Sequence, residues 1–255
     1  MTPTDAAIKS GPDKFIAWAN ELVEGSELSQ EQLEILKSWV PLYGKLPNRL
    51  KPKLRQQMLI FLKLVKFKNA DVPKITEKMR ICVAAEACLL ILNRSFWDYR
   101  YFEQVVIWAN VIKNRKGIAG CAFKNKVELN WVSVERGLKN MGDNHNIIIH
   151  EFAHVLDFAN DEKAQSNPVN PLTAEHKLWE EMIEEEFPKL LKASRAKSDH
   201  PIRNYGLKIN ASAQQTEFFT CATEAFFENS IQLSRACPKI YNALRHFYRL
   251  NPEKW

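Results

Sequence analysis

The sequence predicts an α+β protein, mainly helical, with a small sheet beside one very apolar helix. Three observations carry that expectation. Apolar residues recur at helical spacing through most of the chain. Between Tyr101 and Val134 the pattern becomes aromatic, β-branched and partly alternating, as strands are. The stretch Asn144–Asp157 reads N-H-N-I-I-I-H-E-F-A-H-V-L-D, apolar on all sides with three polar residues at its centre.

Taken in order, residues 1–28 hold one predicted helix near Asp13–Val23. Ser29, with Glu31 and Gln32 after it, marks a helix start, and Leu33, Ile35, Leu36, Trp39 and Val40 supply apolar spacing. A turn is expected at Tyr43–Pro47. Leu50–Phe67 reads as a helix with Lys and Arg on its wet side, and Asn69–Pro73 breaks it. Thr76 caps a nearly all-apolar helix, Glu77–Leu92, which should be central. Strands are predicted at Tyr101–Val111, Ile118–Phe123 and Lys126–Val134. The outer strand of this small sheet is expected to hold an extended peptide by backbone pairing, with the strand near Val105–Asn110 aligning it. Gly142 ends that region, and Asp143 or Asn144 is expected to cap the helix that follows. After a polar loop over Asn160–Pro171, Thr173 caps a charged helix that Pro188 should end or kink. Ala193–Ala213 is polar and aperiodic, the pattern of a lid or wall. Helices are expected again at Thr216–Asn229 and Pro238–Tyr248. With no repeat or linker, the chain reads as one domain over 1–255, a helical part (about 1–95) packed on a second part (about 96–255).

Composition narrows the class. The chain has 255 residues, 45% hydrophobic and 26% charged, enough for a full core. The net charge of +6 comes from scattered Lys and Arg and reads as solvated surface. Direct nucleic-acid binding is therefore not expected. Cys82, Cys88, Cys121, Cys221 and Cys237 are odd in number and include no C-x-x-C, which suggests reduced thiols in a cytoplasmic protein. The most apolar run, Ile81–Leu92, is too short to span a bilayer and contains Glu86.

His150, Glu151 and His154 hold the chemistry. A polar group buried in so apolar a helix costs roughly 2–7 kcal/mol without a partner, and more if charged. Residues i and i+4 share a helix face, so H-E-x-x-H lets both imidazoles bind one Zn²⁺ with the Glu beside its open position. The pattern arises by chance in roughly one chain in a hundred of this length. A third ligand must come from elsewhere. In T-E-F-F-T-C-A-T-E-A-F-F-E, Glu217, Cys221, Glu224 and Glu228 fall on one stripe at i, i+4, i+7 and i+11. Spacing does not choose between Glu217 and Glu224, although a first-turn position favours Glu217. Asp157 is a further candidate for support of the site.

These stretches carry a resemblance. Arg80–Leu92, Val127–Gly137, Asp143–Asp157, Thr216–Glu228 and Pro238–Pro252 resemble, in order, the Mlc titration factor A family of zinc metallopeptidases. That family is zincin-like, similar to the protease domain of anthrax lethal factor. The resemblance implies zinc ligands His150, His154 and Glu217, a general base Glu151, and a supporting Glu224 that orients a ligand imidazole. It also implies a Tyr seven residues before the ligand Glu. Asn210 stands at that spacing here, and the nearest Tyr is Tyr205 in I-R-N-Y-G, consistent with a five-residue insertion. The implied activity is hydrolysis of a peptide or protein substrate, of aminopeptidase type. The implied partner is a sugar-responsive transcriptional repressor, Mlc, which family members sequester.

Overall fold

A computed structural model describes residues 3–113, 117–159, 168–169, 174–195, 202 and 211–255. It is mainly helical, with one four-stranded mixed sheet. The N-terminal region forms α1 (Pro3–Lys9) and α2 (Pro12–Glu21), two short helices where the sequence suggested one. Ser29 and Gln32 form a reciprocal capping box at the start of α3 (Gln30–Trp39), with bonds of 3.2 and 2.9 Å. A short α4 (Pro41–Lys45) and a 3₁₀ turn at Asn48–Leu50 lead into α5 (Lys51–Leu64).

The helix expected to reach Phe67 stops at Leu64, and Lys66–Asn69 becomes strand β1. K-F-K-N alternates too weakly to announce a strand. Its lysines suit a sheet edge, where charge discourages further pairing. Thr76 caps α6 (Glu77–Leu90), whose Oγ1 accepts from the Met79 amide at 3.2 Å. This helix is the centre of the fold, buried from Ile81 through Leu90.

The sheet contains β2 (Gln104–Trp108), β3 (Gly120–Phe123) and β4 (Lys126–Asn130) in the order β1-β2-β4-β3. β2 runs parallel to both β1 and β4, and β3 is antiparallel to β4. β2 is therefore an inner strand with both edges paired, so it has no free backbone for an extended peptide. The open edge near the polar helix is that of β3. The strand expected to reach Val134 ends at Asn130, whose Oδ1 accepts from the Ser133 amide at 3.1 Å and caps α7 (Trp131–Lys139). Trp131, Val134 and Leu138 are buried at i, i+3 and i+7, so helical burial outweighs strand propensity here.

The polar-centred helix is α8 (Ile147–Phe158), buried along its whole length to Asp157. It packs against α6, α7, β3 and β4. Then come α9 (Ala174–Arg195), α10 (Ala211–Glu228), α11 (Ser230–Ala236) and α12 (Pro238–Tyr248). α10 packs on α8. Pro188 lies inside α9, and the helix continues past it. Leu190, buried to 1%, and the Lys189 ammonium, bridging Glu185 and Glu186 at 3.0 and 2.7 Å, hold the second half in place. The segment expected to be aperiodic over Ala193–Ala213 begins within α9 and ends within α10; Thr173 and residues 196–201 and 203–210 lie outside the described residues. No described helix is long and apolar enough to cross a membrane.

Candidate metal centre

The site forms where α8 and α10 face each other behind the β3 edge. α8 is fixed from its apolar side. Phe152, which points away from the histidines, packs on Phe61, Tyr99 and Phe102 with ring centroids 5.7, 5.6 and 5.0 Å away. α10 is fixed similarly by Phe219 against Trp179 and Phe226 against Tyr248, 5.7 and 5.6 Å apart. With one side of each helix anchored, the polar stripes meet.

His150, Glu151 and His154 are 3%, 5% and 9% exposed. His150 Nε2 lies 3.0 Å from Glu217 Oε2, and His154 Nε2 lies 3.5 Å from Glu217 Oε1. The Glu217 carboxylate thus faces both imidazoles, one through each oxygen. Two ligand atoms of a tetrahedral Zn²⁺, each bonded at about 2.0–2.1 Å, lie roughly 3.3 Å apart, so these spacings suit a shared ion. Glu217 Oε2 is buried and lacks the alignment of a hydrogen bond, as a donor aimed at a metal would. Cys221 is 2% exposed, and His150, Glu217 and Cys221 offer ligand atoms all within 4.8 Å of one another, a set that does not include His154. The donor chemistry of imidazole, carboxylate and thiol fits a divalent transition metal.

Glu224 is fully buried and bridges two elements. Its Oε1 accepts from His150 Nδ1 at 2.7 Å, and its Oε2 accepts from the Asn146 amide at 2.7 Å. That partner fixes the His150 tautomer and leaves Nε2 facing Glu217. The tie between Glu217 and Glu224 is resolved by geometry: one faces both Nε2 atoms, the other holds the back of one ring. The cap of α8 is Asn146, two or three residues later than expected, with its Oδ1 accepting from Ile149 N at 3.1 Å. Asp143 instead accepts from the His145 amide at 3.0 Å. Asn144 sits at φ 56° with its Oδ1 accepting from Asn229 at 3.0 Å.

The electrostatics follow from burial and crowding. Burial alone pulls the His150 imidazole down. Glu224, Cys221 and Glu217 outweigh it and hold the ring well above its ordinary value. Burial likewise pushes Glu217 up, and the two imidazoles overcome this and hold its carboxyl far below the usual range. The cluster as a whole therefore favours a cation. Burial raises Glu151, which the imidazoles pull down, while Glu217 and Glu224 add to the rise.

Several participants carry no motif in the sequence. Gly120, the first residue of β3, lies against Glu151. A Cβ there would meet Glu151 Cγ at 2.6 Å and Cδ at 2.7 Å, so only glycine lets the carboxylate lie under the strand. Behind Glu224, the Asn146 side chain favours the charged forms of Glu86 and Glu228. Both are buried, at 1% and 5%, and burial pushes their carboxyls up to about 8 and about 7. Asp157 is a core residue, 1% exposed, rather than a surface charge at a helix end, and its carboxylate acts on the Tyr248 phenol. Tyr205 and Asn210 lie outside the described residues, so the tyrosine assignment has no geometry here.

The chain is 24% identical over 258 residues to an uncharacterized protein of Synechocystis sp., covering 95% of this chain and 92% of that one. It is 32% identical over 139 residues to Mlc titration factor A of Edwardsiella ictaluri, covering 52% of this chain and 48% of that one. With Mlc titration factor A of Klebsiella pneumoniae subsp. pneumoniae it shares 24% over 234 residues, 84% of each. Residues 15–249 match the family model described as glucose-regulated metallo-peptidase M90. That match spans most of the chain, the mainly helical α+β fold agrees with it, and the chain belongs to this metallopeptidase family.

Proposed function

We propose that this protein is a zinc-dependent peptidase in which His150, His154 and Glu217 hold the metal and Glu151 is the general base. The observation that carries this reading is the convergence of both Nε2 atoms on one carboxylate, with a buried fourth residue, Glu151, beside it. Zinc, when bound, supplies a Lewis acid and lowers the pKa of water in its open position towards about 7. The rest of the chemistry belongs to the chain. Glu224 keeps the proton on His150 Nδ1 and so presents Nε2. Glu151, raised by burial, takes a proton from the attacking water and delivers it to the leaving amine. The outer edge of β3, which pairs only with β4 among the described residues, takes the substrate backbone as an added strand. Tyr205 is assigned the stabilisation of the developing oxyanion on the strength of the resemblance alone. The reading includes aminopeptidase-type cleavage, a cytoplasmic setting and one domain over residues 1–255.

Glu151→Gln tests it. The variant should bind one equivalent of zinc and cleave chromogenic peptides about 10²–10⁴-fold more slowly. Full turnover would remove the general-base role, and wild-type protein that binds no metal would remove the whole reading. A second reading is favoured by the names of the relatives, Mlc titration factor A. Here the product is sequestration of a transcriptional repressor, and the metal centre is structural or regulatory. One bound zinc without peptide cleavage would favour it.

A further inference from the structure

We propose that the Cys221 thiol is a fourth protein donor to the metal, closing the centre in the resting protein. This rests on the metallopeptidase reading above and adds a ligand to it. His150 and His154 stand at i and i+4 on α8, and Glu217 and Cys221 stand at i and i+4 on α10. Two facing helices therefore present two pairs of ligand-type side chains, and the proposed tetrahedral set is these four. The positions agree: the Cys221, His150 and Glu217 ligand atoms lie within 4.8 Å of one another, and the thiol bonds the His150 imidazole.

Burial and charge point the same way. Cys221 is 2% exposed, at the border between the apolar core and the ligand atoms of His150 and Glu217. Cys82 and Cys88 lie in α6, where burial pushes their thiols up. On coordination Cys221 gives its proton to solvent and binds as thiolate, with no change of oxidation state. One thiolate and one carboxylate neutralise a divalent ion, which suits a buried centre better than a net charge. A set of two nitrogens, one oxygen and one sulfur leaves no open position, the arrangement of closed rather than catalytic zinc sites. Peptide hydrolysis then requires Cys221 to leave the metal as substrate enters, and the resting enzyme is latent.

The test uses full-length protein stripped of metal and loaded with one equivalent of Co²⁺. Wild type and Cys121→Ser should show the near-ultraviolet thiolate-to-cobalt charge-transfer band, and Cys221→Ser should lack it while binding one cobalt. A loaded wild type without that band, or a band that survives Cys221→Ser, overturns the proposal and leaves the peptidase reading intact. Wild type that takes up no metal overturns both. Zinc-edge X-ray absorption on the wild type is independent of any variant. One sulfur neighbour at about 2.3 Å supports the proposal, and only nitrogen and oxygen neighbours overturn it. Cys221→Ala should raise peptide cleavage per bound zinc about tenfold or more, and an unchanged or lower rate overturns the closed resting state.

Discussion

Glu151 lies flush beneath the first residue of β3, and the contact leaves no room for a methyl group at Gly120. Gly120→Ala must therefore move the carboxylate, because the close approach involves Cγ and Cδ and not only the mobile tip. The expected result is a kcat about 10²-fold lower with zinc stoichiometry unchanged, in line with loss of general-base positioning. Steady-state kinetics beside metal analysis checks it; wild-type kcat would show that Glu151 has slack. The other residue-scale lesson concerns the α10 carboxylates. Glu217 and Glu224 are equivalent by spacing and differ only in depth. The Glu217 side chain is 20% exposed and faces two imidazoles, whereas Glu224 is fully buried and holds one ring and the Asn146 amide.

At the scale of elements, the junction of α6, α8 and α10 runs through Asn146. It caps α8, donates its backbone N–H to Glu224 and lowers the carboxyls of Glu86 in α6 and Glu228 in α10. Asn146→Ala removes the cap and the polar group acting on both carboxyls. The expected loss is about 2 kcal/mol, the upper end for a cap, read from urea unfolding. A loss within error of zero would mean that water replaces the amide. Glu86 adds a pH signature. Its carboxyl is raised from 4.5 to about 8 by burial, with Asn146 lowering and Glu228 raising it. The folded state thus binds a proton that the unfolded state releases, so this group's contribution to stability falls as pH rises from about 4.5 to about 8. Glu86→Gln keeps the shape without the titration. Its Tm relative to wild type should rise steadily across that window, and a constant difference in thermal melts would show that Glu86 does not titrate there.

At the scale of the whole molecule, the described apolar side chains form one continuous core from α1 through α12. The centre lies within it, between helices distant in sequence. Metal binding is then coupled to the folding of the entire core. At a free zinc level about 100-fold above Kd, bound zinc should add about 2.7 kcal/mol, or roughly 5–10 °C in Tm. Calorimetry with and without chelator checks this, and the shift should shrink strongly in Glu217→Gln. An equal shift in that variant would place the zinc elsewhere.

Much of this was legible from the chain alone. Local signals suffice for the capping box at Ser29–Gln32, the Thr76 cap, the start of α12 at Pro238 and the H-E-x-x-H helix itself. Each depends on residues within a turn or two of one another. Local signals failed where a distant partner decided. K-F-K-N is a strand because β2 lies alongside it, and V-S-V is helical because Trp131, Val134 and Leu138 bury together. Pro188 does not end α9 because packing beyond it outweighs one missing hydrogen bond.

The sequence by itself determined that a buried imidazole pair with an adjacent carboxylate shares one helix and needs a common partner, because the i, i+4 geometry of a helix is local and burial follows from its apolar surroundings. Only the tertiary structure decided which α10 side chains meet that pair, that β3 rather than β2 offers the open edge, and that Gly120 and Asn146 belong to the site. Those contacts join residues from about 30 to nearly 80 positions apart, and no period or motif within one segment encodes the distance between two others.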